Sequence, residues 1–140
     1  MKPTLDSIGH ITTPYQHISD CSNNIQPTDG PMCTIHINPA YNEGIKGLYK
    51  GDSILVLYWL NEAQRSCDVY GDDTNQPKGT FALRTPHRPN PIGAAIVEIE
   101  GIKTNQIFVR GLDCLNSTPL LDIKPAIYKE LPSFSHITIT

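Results

Sequence analysis

Hydrophobic and polar positions along this chain alternate in short runs, and the runs predict strands rather than helices. Cys33-Thr34-Ile35-His36-Ile37 places its apolar residues at a period of two, the spacing of a strand with one buried face. Ser53 to Leu60 is a continuous apolar run with β-branched and aromatic members, which predicts a buried strand. Ala94 to Ile102 sets Ala95, Val97 and Ile99 against Glu98 and Glu100 and predicts a half-exposed strand ending at Gly101. Ile107 to Arg110 is its hairpin partner, joined through Lys103 to Gln106. Ile8 to Ile11, Thr80 to Leu83 and Leu120 to Pro125 read as shorter extended pieces, and only Pro39 to Leu48 offers one or two helical turns. Ser19 to Met32 and Asp68 to Lys78 read as polar loops. Short strands punctuated by twelve prolines and ten glycines predict a mainly all-β fold, a small antiparallel β-barrel or sandwich with long loops.

Composition adds bounds. The 140 residues form one domain over their whole length. No apolar run approaches the ~18 residues of a membrane span, and the N-terminus lacks an apolar signal core, which implies a cytoplasmic protein. Cys21, Cys33, Cys67 and Cys114 are scattered and read as free thiols; the five histidines are as dispersed, so no metal site is expected. A net charge of −3 does not suit bulk attraction to nucleic acid. Lys78, Arg84 and Arg88 cluster, however, so a nucleic-acid contact would be local and would need other sources of affinity, one of which a second chain could supply.

The densest chemistry lies in Arg84-Thr85-Pro86-His87-Arg88-Pro89-Asn90-Pro91-Ile92-Gly93. Each proline fixes φ and removes a donor, so the loop is stiff before anything binds. It holds two guanidinium groups and the Asn90 amide in place, which suits a ligand with an anionic end. The plainer reading is a proline-rich connector with its arginines in water.

Gly79 to Gly93 resembles the signature of the TsaA/TrmO (YaeB-like) family. Leu112 to Pro125 is similar to that family's D-x-x-D-G-T-P-x-x-D-I-K-P segment, and Ile8 to Tyr15 to its I-G-x-I-x-S-P-Y opening. The resemblance implies a β-barrel that binds S-adenosylmethionine, commonly as a homodimer with the cofactor near the subunit interface. It also implies methyl transfer to N6 of a threonylcarbamoyl-modified adenosine at position 37 of certain tRNAs. Cofactor-binding roles fall on Asn24, Ile25, Gln26, Asn61, Glu62, Arg84, Pro86, Arg88, Asn90, Ile96, Asp113, Cys114, Leu115 and Asn116. Arg84 or Arg88 suits the carboxylate, while Glu62, Asp113 or Tyr15 suits the sulfonium. The turn from Leu112 to Asn116, covered by Ile96, suits adenine. Core packing is the alternative for Leu112, Leu115 and Ile96, and solvation for Glu62.

Asp122 is the candidate base or acceptor-orienting group, Lys124 the charge stabiliser and Tyr15 a further orienting group. An ion pair between neighbouring strands is the alternative for Asp122 and Lys124. The chain departs from the family pattern in several places. Asn61 stands where a histidine is common, Asn116-Ser117 replaces Asp-Gly, and Arg65 to Asp73 is acidic where a basic loop is typical. The end at Thr140 implies no added C-terminal domain. Two functions follow: a methyltransferase acting on tRNA or on a small molecule, and a cofactor-binding sensor or partner-binding module without catalysis.

Overall fold

The computed structural model describes residues 1–21 and 25–127. Among the described residues nine strands run in chain order: β1 (Gly9–Thr12), β2 (Met32–Ile37), β3 (Ser53–Trp59), β4 (Val69–Tyr70), β5 (Lys78–Gly79), β6 (Ile92–Glu98), β7 (Gly101–Lys103), β8 (Gln106–Arg110) and β9 (Thr118–Pro125). Short 3-10 turns occupy Ile18–Asp20, Pro39–Ile45 and Thr80–Ala82. No helix among the described residues is long and apolar enough to cross a membrane.

Seven strands form one antiparallel sheet in the order β6-β3-β9-β1-β2-β8-β7. The alternation read from the sequence is its inward stripe. Ile11, Cys33, Ile35, Ile54, Val56, Val97, Ile107, Val109 and Leu120 are all 0–2% exposed and form the core, joined by Tyr58 and Ala95. Each large aliphatic side chain so buried contributes about 1.5–3 kcal/mol.

The hydrogen-bond order has two ends, β6 and β7, so the expected barrel is not found as a closed ladder. Those two edges are nevertheless consecutive in the chain. Ile99 still pairs with the start of β3, donating to Asp52 O at 2.9 Å, whereas Glu100 donates to Phe108 O on β8 at 2.8 Å. One bent segment therefore runs from one edge of the sheet to the other, and the run expected as a single strand is divided there. Two other expectations also change. The polar loop at Asp68 to Lys78 carries the β4–β5 pair, because Thr80 Oγ1 accepts from the Asp68 N–H at 2.9 Å and draws the arms together. Thr80 to Leu83 curls into a 3-10 turn, closed by the Leu83 N–H donating to Thr80 O.

A bulge in β9 turns side chains over. Leu57 lies opposite Asp122, but Tyr58 lies opposite Leu120, so Leu121 is the extra residue. Before the bulge Thr118 and Leu120 point inward; after it Ile123 faces inward beside Val56, and Asp122 and Lys124 share the outer face with Leu57 and Leu55. Gly111 ends β8 with a φ of 76° and lies against the Gln26 backbone, whose N–H donates to Gly111 O at 2.9 Å. This contact straps the segment from Ile25 to Gly30 across the end of the sheet. Gly111→Ala should therefore lower stability by about 1–3 kcal/mol from backbone strain, with overlap on Gln26 adding to the loss. Urea unfolding would measure this, and an unchanged midpoint would refute the strap.

Candidate functional site

A cleft of about 590 Å³ opens where β3 ends and β6 begins. One wall is the proline-rich loop stitched to the residues after β3. The Leu60 N–H donates to Pro91 O at 2.8 Å, the Gln64 N–H to His87 Nδ1 at 3.0 Å, and the Arg88 N–H to Gln64 O at 3.2 Å. Arg65 lies 5.3 Å over the Trp59 ring and donates to Pro89 O at 2.8 Å and to Asn90 Oδ1 at 2.9 Å. The two signature arginines are themselves braces. Arg88 Nη1 donates to Leu83 O and Thr85 O, at 3.0 and 2.9 Å, and Arg84 Nη2 to Ala94 O at 2.7 Å. Prolines stiffen this loop, and guanidinium donors satisfy the carbonyls it cannot pair with itself.

The floor is the turn between β8 and β9, fastened to the chain after β1. Thr13 Oγ1 donates to Cys114 O at 2.8 Å, the Thr13 N–H to Asn116 Oδ1 at 3.1 Å, and the Asn116 N–H to Tyr15 O at 2.8 Å. Ser117 adopts a φ of 70°, tolerated where the family pattern has glycine, and its N–H donates to Ile11 O. Tyr58 Oη donates to Asp113 Oδ1 at 3.0 Å in the same floor. Burial first, and then the Asp113 charge, push the Tyr58 phenol well above its ordinary range. Burial pushes the Cys114 thiol up to about 12, with Asp113 acting in the same direction.

The structure brings together nine of the fourteen candidate binding residues. Ile25, Asn61, Glu62, Arg84, Pro86, Arg88, Asp113, Cys114 and Leu115 all line the cleft. Gln26, Asn90 and Asn116 stand behind it as supports of the strap, the loop and the floor. Ile96 lies on the outer face of β6 opposite Leu55, away from the cleft. Asn24 lies outside the described residues.

The candidate catalytic group is not in the cleft within one chain. Lys124 Nζ pairs with Asp122 Oδ2 at 2.9 Å along β9 itself rather than between strands. Asp122 borders a second cleft of about 570 Å³ under the Pro39–Ile45 turn. Tyr15 does not line the cleft and joins the floor through its backbone, its carbonyl accepting from the Asn116 N–H and its own N–H donating to Thr13 Oγ1 at 3.2 Å. Sequence reasoning missed Tyr58, Cys21 and Thr118. The one hydroxyl inside the apolar run of β3 was the available signal for Tyr58.

Residues 10–137 match the family model for the tRNA-methyltransferase O N-terminal domain. The chain belongs to this family. It is 43% identical over 119 residues to the probable S-adenosyl-L-methionine-binding protein VirR of Rhizobium radiobacter, covering 84% of this chain and 67% of that one. It is 29% identical over 144 residues to the human tRNA (adenine(37)-N6)-methyltransferase, covering 91% of this chain but 32% of that protein. The crystal structure of TrmO from Pseudomonas aeruginosa superposes with a TM-score of 0.73 at 28% identity, covering 91% of this chain and 57% of that one. The chain thus spans about half of the solved family structure and a third of the human relative. The cleft walls are built from family-signature segments.

The thiols test the cleft's burial. A pKa raised to about 12 leaves about one part in ten thousand of Cys114 as thiolate at pH 8. Maleimide at that pH should label exposed Cys67 and spare buried Cys33 and Cys114 until the protein unfolds or the solution is strongly alkaline. Peptide mass spectrometry reads the outcome, and Cys114 labelled as fast as Cys67 would contradict the described floor.

Proposed function

We propose that this cleft binds S-adenosylmethionine and that the protein is a cytoplasmic methyltransferase. Its acceptor is N6 of adenosine 37 in tRNA, in the threonylcarbamoyl-modified form. One observation supports this most: residues from four separate segments converge on a cleft carrying opposite charges at different places. Arg84 and Arg88 offer donors for a carboxylate, and Leu60, Ile25 and Leu115 offer apolar cover for a flat base. Asp113 offers a carboxylate with no lysine or arginine nitrogen within 4.0 Å among the described residues. A zwitterionic nucleoside fits that distribution. The names of the relatives point the same way.

The bound cofactor supplies a methyl group activated by its sulfonium. The chain's part is positioning, since the acceptor nitrogen, methyl carbon and sulfur must come nearly into line. The stitched loop and fastened floor hold that geometry without rearrangement. Asp122 is the group proposed to take the acceptor proton, with Lys124 balancing charge.

These two residues stand on the outer face of β3, β6 and β9, beside Leu55, Leu57, Ile92, Ala94 and Ile96. Ile92 and Ala94 also line the cleft, so this half-exposed apolar face runs into the cleft rim. We therefore propose a homodimer paired through it about a twofold axis, with Asp122 and Lys124 of each copy serving the cleft of the other. In the same reading the sheet is a barrel whose seam is the bent segment joining β6 to β7.

A second reading, cofactor binding without tRNA methylation, is favoured by the acidic arm that carries β4 and β5. Asp68, Asp72 and Asp73 lie on or beside the exposed β4–β5 pair, where they oppose a phosphate backbone.

Calorimetry should show S-adenosylmethionine binding, and no heat at millimolar ligand would defeat both readings. Label from the methyl group should enter tRNA carrying threonylcarbamoyladenosine and not tRNA lacking it. Binding without such label would support the second reading. Light scattering should report a dimer that Leu57→Asp dissociates. Mixing Arg84→Ala with Asp122→Asn should restore activity that neither variant has alone; a monomeric wild type, or no rescue, would sink the shared-site arrangement.

A further inference from the structure

Tyr58 is 2% exposed in a strand whose other inward residues are aliphatic. Phenylalanine would fill nearly the same volume, and a buried hydroxyl is costly unless it is bonded. Its bond goes to Asp113 Oδ1 at 3.0 Å. Gly93 lies directly across the β3–β6 ladder from Tyr58. A Cβ at Gly93 would overlap Tyr58 Cε2 and stand 2.7 Å from Cδ2, so glycine is the residue that leaves room for the ring. The Gly111 strap and the Thr13 contacts fix the backbone on either side of Asp113. Three distant parts of the chain thus place one carboxylate.

That carboxylate lines the cleft. Among the described residues Asp113 accepts only the Tyr58 bond and has no ion-pair partner. The phenol, held protonated by its burial, is committed to donating and pins Oδ1. Oδ2 is left for a ligand. A fixed carboxylate in a partly enclosed cleft attracts a cation more strongly than one in open water. A neutral ligand of the same shape gains nothing from it.

We propose that Tyr58 is a positioning residue that aims Asp113 at the cationic centre of the bound cofactor, giving the cleft its preference for the sulfonium over the uncharged thioether. The inference rests on the cofactor reading given above and adds a consequence for turnover. Methyl transfer forms the bond from the acceptor nitrogen to the methyl carbon, returns the C–S bonding pair to sulfur, and releases the acceptor N–H proton, which goes to Asp122 in the reading above. The sulfur is then neutral, the attraction to Asp113 is lost, and S-adenosylhomocysteine leaves while fresh cofactor is favoured.

The test compares two ligands on three proteins. S-adenosylmethionine and S-adenosylhomocysteine are titrated by calorimetry into wild type, Tyr58→Phe and Asp113→Asn at one pH and ionic strength. Wild type should bind the sulfonium about tenfold more tightly than the thioether, the scale of one hydrogen bond or contact to a charged group. Both variants should bring that ratio toward one by weakening the sulfonium, with thioether affinity changed less than about twofold. The double variant should be no worse than the poorer single, as expected of residues acting through one contact. Equal losses for both ligands in Tyr58→Phe would reduce Tyr58 to a packing role and overturn the proposal. A wild type without preference would overturn it as well. Should Tyr58→Phe unfold, judged by circular dichroism, Asp113→Asn carries the same comparison without altering the packed strand. No binding of either ligand to wild type would remove the cofactor reading and this proposal with it.

Discussion

Strand β3 is paired along both edges, with β6 on one side and β9 on the other, and its register governs the molecule. Ile54 and Val56 sink into the core, and the next inward residue, Tyr58, reaches the end of the sheet where the core gives way to the cleft. Because side chains alternate with a period of two, fixing Ile54 inside also fixes Tyr58 inside and Trp59 outside. Trp59 then offers its ring to Arg65, and Arg65 fastens the proline-rich loop through Pro89 and Asn90. A single pairing register thereby connects the packed interior to the cleft's wall and floor.

The cleft is assembled mainly from groups that spend their hydrogen bonds on the protein itself. Arg84 and Arg88 each brace backbone carbonyls, and Thr13 and Asn116 hold the floor turn. Such a site is organised in advance, which suits a reaction whose acceleration comes from alignment rather than from mobile acid–base groups. Asp113 is the contrast: a carboxylate fixed on one oxygen and, among the described residues, unpaired on the other. In the proposed function that asymmetry separates the charged cofactor from its neutral product.

The β9 bulge has a corresponding effect on the opposite side. Without the extra residue at Leu121, Asp122 would follow Thr118 and Leu120 inward into the core, where even a charge paired with Lys124 is costly. With it, the pair stands on the outer face among half-exposed apolar residues of β3 and β6. That placement is why the proposed function needs a second copy, since the cleft of one chain lacks the proposed acid–base pair.

Local chemistry made much of this legible before any coordinates. Alternation located β2 and β6, since a buried sheet face imposes its period on the residues that fill it, and a continuous apolar run located β3. The prolines and arginines from Arg84 to Pro91 marked the stiff wall, and the family signature grouped most of the lining residues. Other features depend on relations between distant segments. The bulge appears only when β9 is laid against β3, and the two-ended sheet order only when all strands are placed. The role of Tyr58 requires Gly93 and Asp113, 35 and 55 residues further along, to be its neighbours. Sequence fixes which side chains are apolar, rigid or charged, because those properties are local. Tertiary structure alone decides which of them share a cleft, because register and chain crossing set distances that no run of residues contains.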